Sequence, residues 1–150
     1  MCICTQYTFL MTIPIAQVCN CFAARQAARF ITQLYERHLS KAGITGSQYT
    51  ILAVIQSRPG IAMAELAHEL VMDRTSLVRA LKPLLSNGYV TAAPGPNAGR
   101  KMALSLSSSG LEKFREAGPH WQAAQREWEL MVGSERAKAL REELIAVTRM

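Results

Sequence analysis

Residues 63–90 read MAELAHELVMDRTSLVRALKPLLSNGYV, and their pattern decides the fold. Leu66, Ala67 and Leu70 recur at the spacing of one helical face, which predicts a short helix over residues 64–70. Val71-Met72-Asp73 leaves room only for a tight turn. Asp73 is a favoured N-cap type, and the helix it opens is expected over residues 74–86, with Leu77, Val78, Leu81, Leu84 and Leu85 on its buried side. Asn87-Gly88 stops it. Arg74, Thr75, Ser76, Arg79 and Lys82 project from the other side. A supporting helix, a short turn and a second helix with a polar outer face make up a helix-turn-helix of the DNA-reading kind.

Working outward, residues 89–93 and 101–106 alternate as strands around the Pro, Gly and Asn turn of residues 94–99. This hairpin is a wing, and it carries Arg100 and Lys101 near its tip. Upstream, residues 15–41 read as one long helix that Gly43 ends. Thr45 opens the next, with Gln48 completing a capping box, and Arg58-Pro59-Gly60 closes it. Downstream, Ser107 caps a helix over residues 108–132 that Gly118-Pro119 should kink or break. Ser134 caps a last helix with Ala137, Leu140, Leu144 and Val147 on one face. The expected fold is mainly α with a small β-hairpin wing. An N-terminal arm spans residues 1–14, a winged helix-turn-helix residues 45–107, and flanking helices residues 15–44 and 108–150.

Charge supports a polyanionic partner. The chain has 150 residues and a formal net charge of +6. Residues 73–101 hold five positive charges and one negative, so +4 of that total falls in the reading head and its wing. No apolar run downstream of the N-terminus is long enough to span a bilayer. The uncharged first 23 residues lack the basic start of a secretory signal, since the first basic residue is Arg25. They read as an arm leading into the first helix, and Met11 is an alternative start. Cys2, Cys4, Cys19 and Cys21 all lie in the first 21 residues, a clustering that fits a reducing cytosol better than a secreted scaffold.

Those cysteines form two C-x-C pairs, whose thiolates can oxidise or hold a soft metal. The spacing is not the usual zinc pattern. On a helix, residues two apart point about 200° away from each other, so Cys19 and Cys21 face one ligand only where the chain is not helical. His38, His68 and His120 show no metal-ligand spacing. No nucleophile–base constellation marks an enzyme, and the reading requires no cofactor.

The order of elements, with AELAHEL (64–70), DRTSLVRALKPLLSNGYV (73–90) and LSSSG (106–110), resembles the MarR family of bacterial regulators. The resemblance runs from about Ala23 to the C-terminus. Thr45-Gly46-Ser47-Gln48 looks like that family's start to its second helix, and Leu81-Lys82-Pro83-Leu84 with Pro119 and Trp121 looks like one subgroup. The family's wing carries Asp-x-Arg; here Ala98-Gly99-Arg100 keeps the arginine and lacks the aspartate. The resemblance implies a homodimer built from the first and last helices, a pseudo-palindromic double-stranded DNA site, and a cytosolic bacterial repressor. It also implies an effector pocket, for which Arg25, Arg29, Tyr35, His38 and Tyr49 are candidate liners of a small aromatic ligand. DNA contacts are expected from Ser47, Gln48 and Lys82 to phosphates, from Thr75, Ser76 and Arg79 to bases beside Arg74, and from Arg100 in the minor groove beside Lys101. A winged-helix module that docks protein, or a small thiol or metal redox protein, would be the alternatives. The first would show an exposed apolar patch on the recognition helix.

Overall fold

The computed structural model describes residues 14–95 and 102–149. The chain falls into two compact units, residues 1–34 and residues 35–150. In the first, helix α1 (Ile15–Val18) and the start of α2 (Asn20–Leu39) replace the single long helix that the sequence suggests. The interruption is at Cys19. Its Sγ accepts the Phe22 N–H at 3.4 Å and its carbonyl accepts the Ala23 N–H at 3.1 Å, so the cysteine acts as an N-cap and restarts the helix. A 3₁₀ turn (Ser40–Ala42) and a left-handed Gly43 (φ 70°) follow α2.

In the second unit, α3 (Gly46–Ser57) starts on the expected capping box. Thr45 Oγ1 accepts the Gln48 N–H at 3.1 Å, and Gln48 Oε1 accepts the Thr45 N–H at 2.9 Å. Next come strand β1 (Ile61–Ala62), α4 (Met63–Glu69), α5 (Arg74–Ser86), β2 (Val90–Pro94) and β3 (Met102–Leu106). Helices α6 (Ser108–Val132) and α7 (Ser134–Val147) complete it. The three strands form an antiparallel sheet in the order β1-β3-β2, with Ile61 opposite Leu104 and Val90 opposite Leu106. β1 has no expectation behind it, because two residues are too few to show alternation. Tyr89 falls outside the strand predicted for it, since β2 begins at Val90, and Lys101, expected to open the next strand, lies outside the described residues.

The core gathers Leu52 and Ile55 of α3, Leu66 of α4, Leu77, Leu81 and Leu84 of α5, Val90 and Leu104 of the sheet, and Ala117 of α6. One reading of an apolar face needs correction. Val78 and Leu85, expected inside, are 49% and 39% exposed. The buried side of α5 is the narrow row Leu77, Leu81 and Leu84, and a residue one step further turns about 100° away from it. On α7, Ala137 is buried while Leu140, Leu144 and Val147 are exposed.

Of the kink or break expected in α6, the break is absent: Pro119 lies inside a continuous helix. Proline costs that helix one backbone hydrogen bond, but packing holds the turns on both sides. Phe114 and Trp121 stack on Tyr49 with centroids 5.1 and 6.1 Å away, and Ala117 and Ala124 are fully buried. The cap of α7 is Gly133 rather than Ser134. At φ 87° this glycine donates its N–H to the Glu129 carbonyl and accepts the Ala137 N–H, both at 2.9 Å, so one residue closes α6 and opens α7.

The tightest junction joins the end of α5 to the start of α6. Gly88 (φ 70°) ends α5 in a Schellman motif, with Tyr89 N–H on the Leu84 carbonyl at 2.9 Å and Gly88 N–H on the Leu85 carbonyl at 3.0 Å. Ser107 then donates its N–H to the Tyr89 carbonyl at 3.0 Å and its hydroxyl to the Gly88 carbonyl at 2.6 Å. The same hydroxyl caps α6 by accepting the Gly110 N–H at 3.0 Å. Gly110 packs so closely that a Cβ there would sit 1.9 Å from the Tyr89 carbonyl oxygen. That oxygen is backbone and cannot swing aside. Gly110→Ala should therefore destabilise the protein by about 3 kcal/mol or more, the upper range for overpacking. Urea denaturation followed by circular dichroism measures this, and an unchanged midpoint would contradict the junction as described.

Candidate nucleic-acid interface

α4, the turn after it and α5 place the polar residues. Leu66 is fully buried and anchors α4; Leu77, Leu81 and Leu84 anchor α5. Between the helices α4 ends in a second Schellman motif, with Met72 N–H on the Ala67 carbonyl at 2.9 Å and Val71 N–H on the His68 carbonyl at 3.1 Å. The left-handed position of this motif is Val71 (φ 51°), where glycine is usual. A β-branched residue in that conformation costs about 1–2 kcal/mol, so the surrounding packing holds the turn against local strain.

Asp73 caps α5 as the sequence predicts. Its Oδ1 accepts the Ser76 N–H at 2.9 Å and its Oδ2 accepts the Ser76 hydroxyl at 2.6 Å. These bonds hold the Asp73 carboxyl below its ordinary range, the Ser76 hydroxyl contributing most. They also commit the Ser76 proton, so Ser76 can offer a base only its lone pairs. Arg74, Thr75, Arg79 and Lys82 are all exposed on α5. Arg74 occupies the first turn, where the positive end of the helix dipole disfavours a cation. A phosphate brought to that end would reverse the penalty.

On α3, Ser47 is exposed, whereas Gln48 is half-buried with its oxygen held by the capping box. Only the Gln48 amide NH₂ remains to donate. Arg100 and Lys101 lie outside the described residues, as do Cys2 and Cys4. β2 and β3 lead into that wing tip, with Pro94 opposite Met102.

The candidate effector residues have separate placements. Arg25 and Arg29 are exposed on α2, and Arg25 Nε donates to the Cys21 Sγ at 3.4 Å. Further along, Tyr35 donates its hydroxyl to Gln125 Oε1. His38 Nε2 pairs with Glu127 Oε2 at 2.6 Å, and Arg37 with Glu127 Oε1 at 2.7 Å. These partners hold the Glu127 carboxyl below its ordinary range, His38 first. Tyr49 is buried against Phe114 and Trp121, and burial pushes its phenol up. Cys21 is exposed and Cys19 half-buried. Among the described residues, no three His, Cys, Asp or Glu side chains group as a metal site would require, and no helix is long and apolar enough to cross a membrane.

Comparison with known proteins gives this geometry a context. The family model that matches is that of the MarR family, over residues 42–101. A Thauera aromatica protein, named as a transcriptional regulatory protein for the hcr operon, is 30% identical over 90 residues, which cover 60% of this chain and 50% of that protein. The match thus spans about half the length of that curated relative. The M. tuberculosis transcriptional regulator MosR, solved in complex with DNA, is 32% identical with a TM-score of 0.70, covering 88% of this chain and 99% of that one. A MarR variant from E. coli, solved with operator DNA, shares the fold with a TM-score of 0.80 at 22% identity, covering 91% of this chain and 99% of that one. The relatives are transcription regulators, not enzymes.

The cap of α5 sets a pH dependence. The folded-state value of Asp73 lies below its unfolded value, so its contribution is present above pH of about 4 and is lost as pH falls through the folded value. Asp73→Asn keeps a capping side chain without a titrating group. Between pH 6 and 2.5 the wild type should lose more thermal stability than this variant. Parallel melting-temperature profiles would contradict the role given to the cap.

Proposed function

The chain belongs to the MarR family of winged-helix transcription regulators, and on that premise we propose that it is a homodimeric, cytosolic bacterial repressor of a pseudo-palindromic DNA site. Within the family we place it in the subgroup marked by Leu81-Lys82-Pro83-Leu84 with Pro119 and Trp121. One observation carries the DNA reading. Arg74, Thr75, Arg79 and Lys82 share the exposed side of a helix whose opposite side is nailed down by three leucines. In the major groove, Thr75, Ser76 and Arg79 meet base edges, an arginine suiting the two acceptors of guanine. Lys82, Ser47 and the Gln48 amide hold phosphates, and Arg74 meets one at the α5 N-terminus. Arg100 enters the minor groove with Lys101 beside it.

Dimerisation is supported by Leu130, Met131, Leu140, Leu144, Ile145 and Val147, all exposed at the end of α6 and along α7. Apolar surface so concentrated marks an interaction face. Light scattering should return a mass near twice the 16.6 kDa of one chain; a monomer at micromolar concentration would contradict it.

For the signal, we propose oxidation of the Cys19 and Cys21 thiols by hydrogen peroxide, forming one disulfide and two waters. Cys19 caps α2 through its sulfur, and the two residues share a disulfide only if the first turn of α2 unwinds. A small aromatic effector held by Arg25 or Arg29 is the second option. Peroxide should weaken DNA binding of the wild type and leave the Cys19→Ser, Cys21→Ser double variant unaffected. Equal sensitivity of both would remove the thiols from the signal.

Arg79→Ala should weaken binding to the protein's selected duplex roughly 10- to 100-fold, the loss of one bidentate base contact, with a much smaller effect on random duplex. Equal loss on both would make Arg79 a phosphate contact instead. Binding should also fall steeply with salt as counterions are released.

A further inference from the structure

Val78 is an apolar residue placed where the amphipathic pattern of α5 does not account for it. It lies in the N-terminal half of the helix, one residue beyond the buried Leu77, and is 49% exposed. Arg74 precedes it by four residues and Lys82 follows by four, so a cation flanks it on each side along one row of the helix surface. Thr75 and Arg79 are its neighbours on the outward side. Leu85, the other exposed apolar residue of α5, lies about 10 Å further along the axis, beyond Pro83 and away from the base-reading turns.

We infer that Val78 is a specificity-determining residue that packs on the 5-methyl group of a thymine in the major groove. The inference rests on the DNA reading above and adds to it a base that polar contacts do not account for. The major-groove edges of the four base pairs present donors, acceptors and one apolar group, the thymine methyl. A valine in a helix is held in essentially one rotamer, so its two methyls form a stiff apolar surface of matching size. The flanking charges argue against a protein partner at this spot. An apolar pocket closing over Val78 would have to strip water from Arg74 and Lys82 without replacing it, whereas a duplex offers both cations a phosphate within reach of the same groove.

The test uses the full chain and a duplex recovered by it from a random pool. Each thymine in that duplex is replaced singly by deoxyuridine, which removes the methyl and nothing else. Wild-type protein should lose about fourfold in affinity at one position in each half-site, the effect of withdrawing one buried methyl-sized group. Val78→Ala should bind the thymine and deoxyuridine duplexes equally. Val78→Thr, which keeps the shape and one methyl, should retain part of the preference. Circular dichroism of both variants should match the wild type, because the side chain is not in the core. The inference is overturned if no single deoxyuridine changes wild-type binding, or if Val78→Ala keeps the wild-type ratio. Recovery of no duplex at all would overturn the DNA reading itself and this inference with it.

Discussion

The contact between Gly110 and the backbone of Tyr89 is the constraint on which the second unit depends. A hydrogen atom is the only side chain that fits there. The carbonyls of Gly88 and Tyr89, left over where α5 ends, are taken by Ser107 and Ser109 at the start of α6. Lys113 adds a further tie: its ammonium lies 5.9 Å from the centre of the Tyr89 ring and donates to the Ala42 carbonyl at 3.3 Å. The end of the recognition helix and the start of the longest helix are therefore one rigid corner. The recognition helix cannot change its direction without moving α6, or α6 without moving it. The exposed side of α5 is thereby tied through this corner to the helices that bear the exposed apolar face.

The other end of α5 is built differently. Asp73 closes it with charge-assisted hydrogen bonds, and the turn before it stores strain at Val71. The two Schellman motifs make the contrast plain: Gly88 fits its left-handed position at no cost, while Val71 does not. The N-terminal half of α5 thus combines a strained turn, a cation facing the helix dipole and an exposed valine. Each is unfavourable in the free protein, and a DNA duplex would compensate the last two. Locally unfavourable choices gathered at one place are a mark of function.

Much of this was legible in the sequence because it is local. Capping by Thr45 with Gln48, by Asp73 and by Ser107, and the stops at Gly43 and Gly88, depend on residues within a few positions of one another, and the structure shows each of them. What was not legible depends on packing. An apolar residue next to a buried one looks buried in sequence, as Val78 and Leu85 do beside Leu77 and Leu84. Pro119 looks like a helix breaker until Tyr49, distant in sequence, is seen stacked against Phe114 and Trp121 on either side of it. The capping sulfur of Cys19 carried no pattern, since cysteine is not a usual cap. The role of Gly110 appeared only as one letter of a family motif, and the backbone it touches explains the letter. For the candidate interface, the outward row Arg74, Thr75, Arg79 and Lys82 was readable, whereas the commitment of Ser76 to Asp73 and of Gln48 to Thr45 required coordinates.

The central claim is that the exposed side of α5 reads DNA sequence, presented twice by a symmetric pair. Selection of bound duplexes from a random pool, followed by sequencing, tests it most directly. The account predicts enrichment of a two-fold symmetric sequence whose half-sites lie about one helical turn, roughly 10 base pairs, apart. A recovered population indistinguishable from the starting pool, even at low salt, would contradict it.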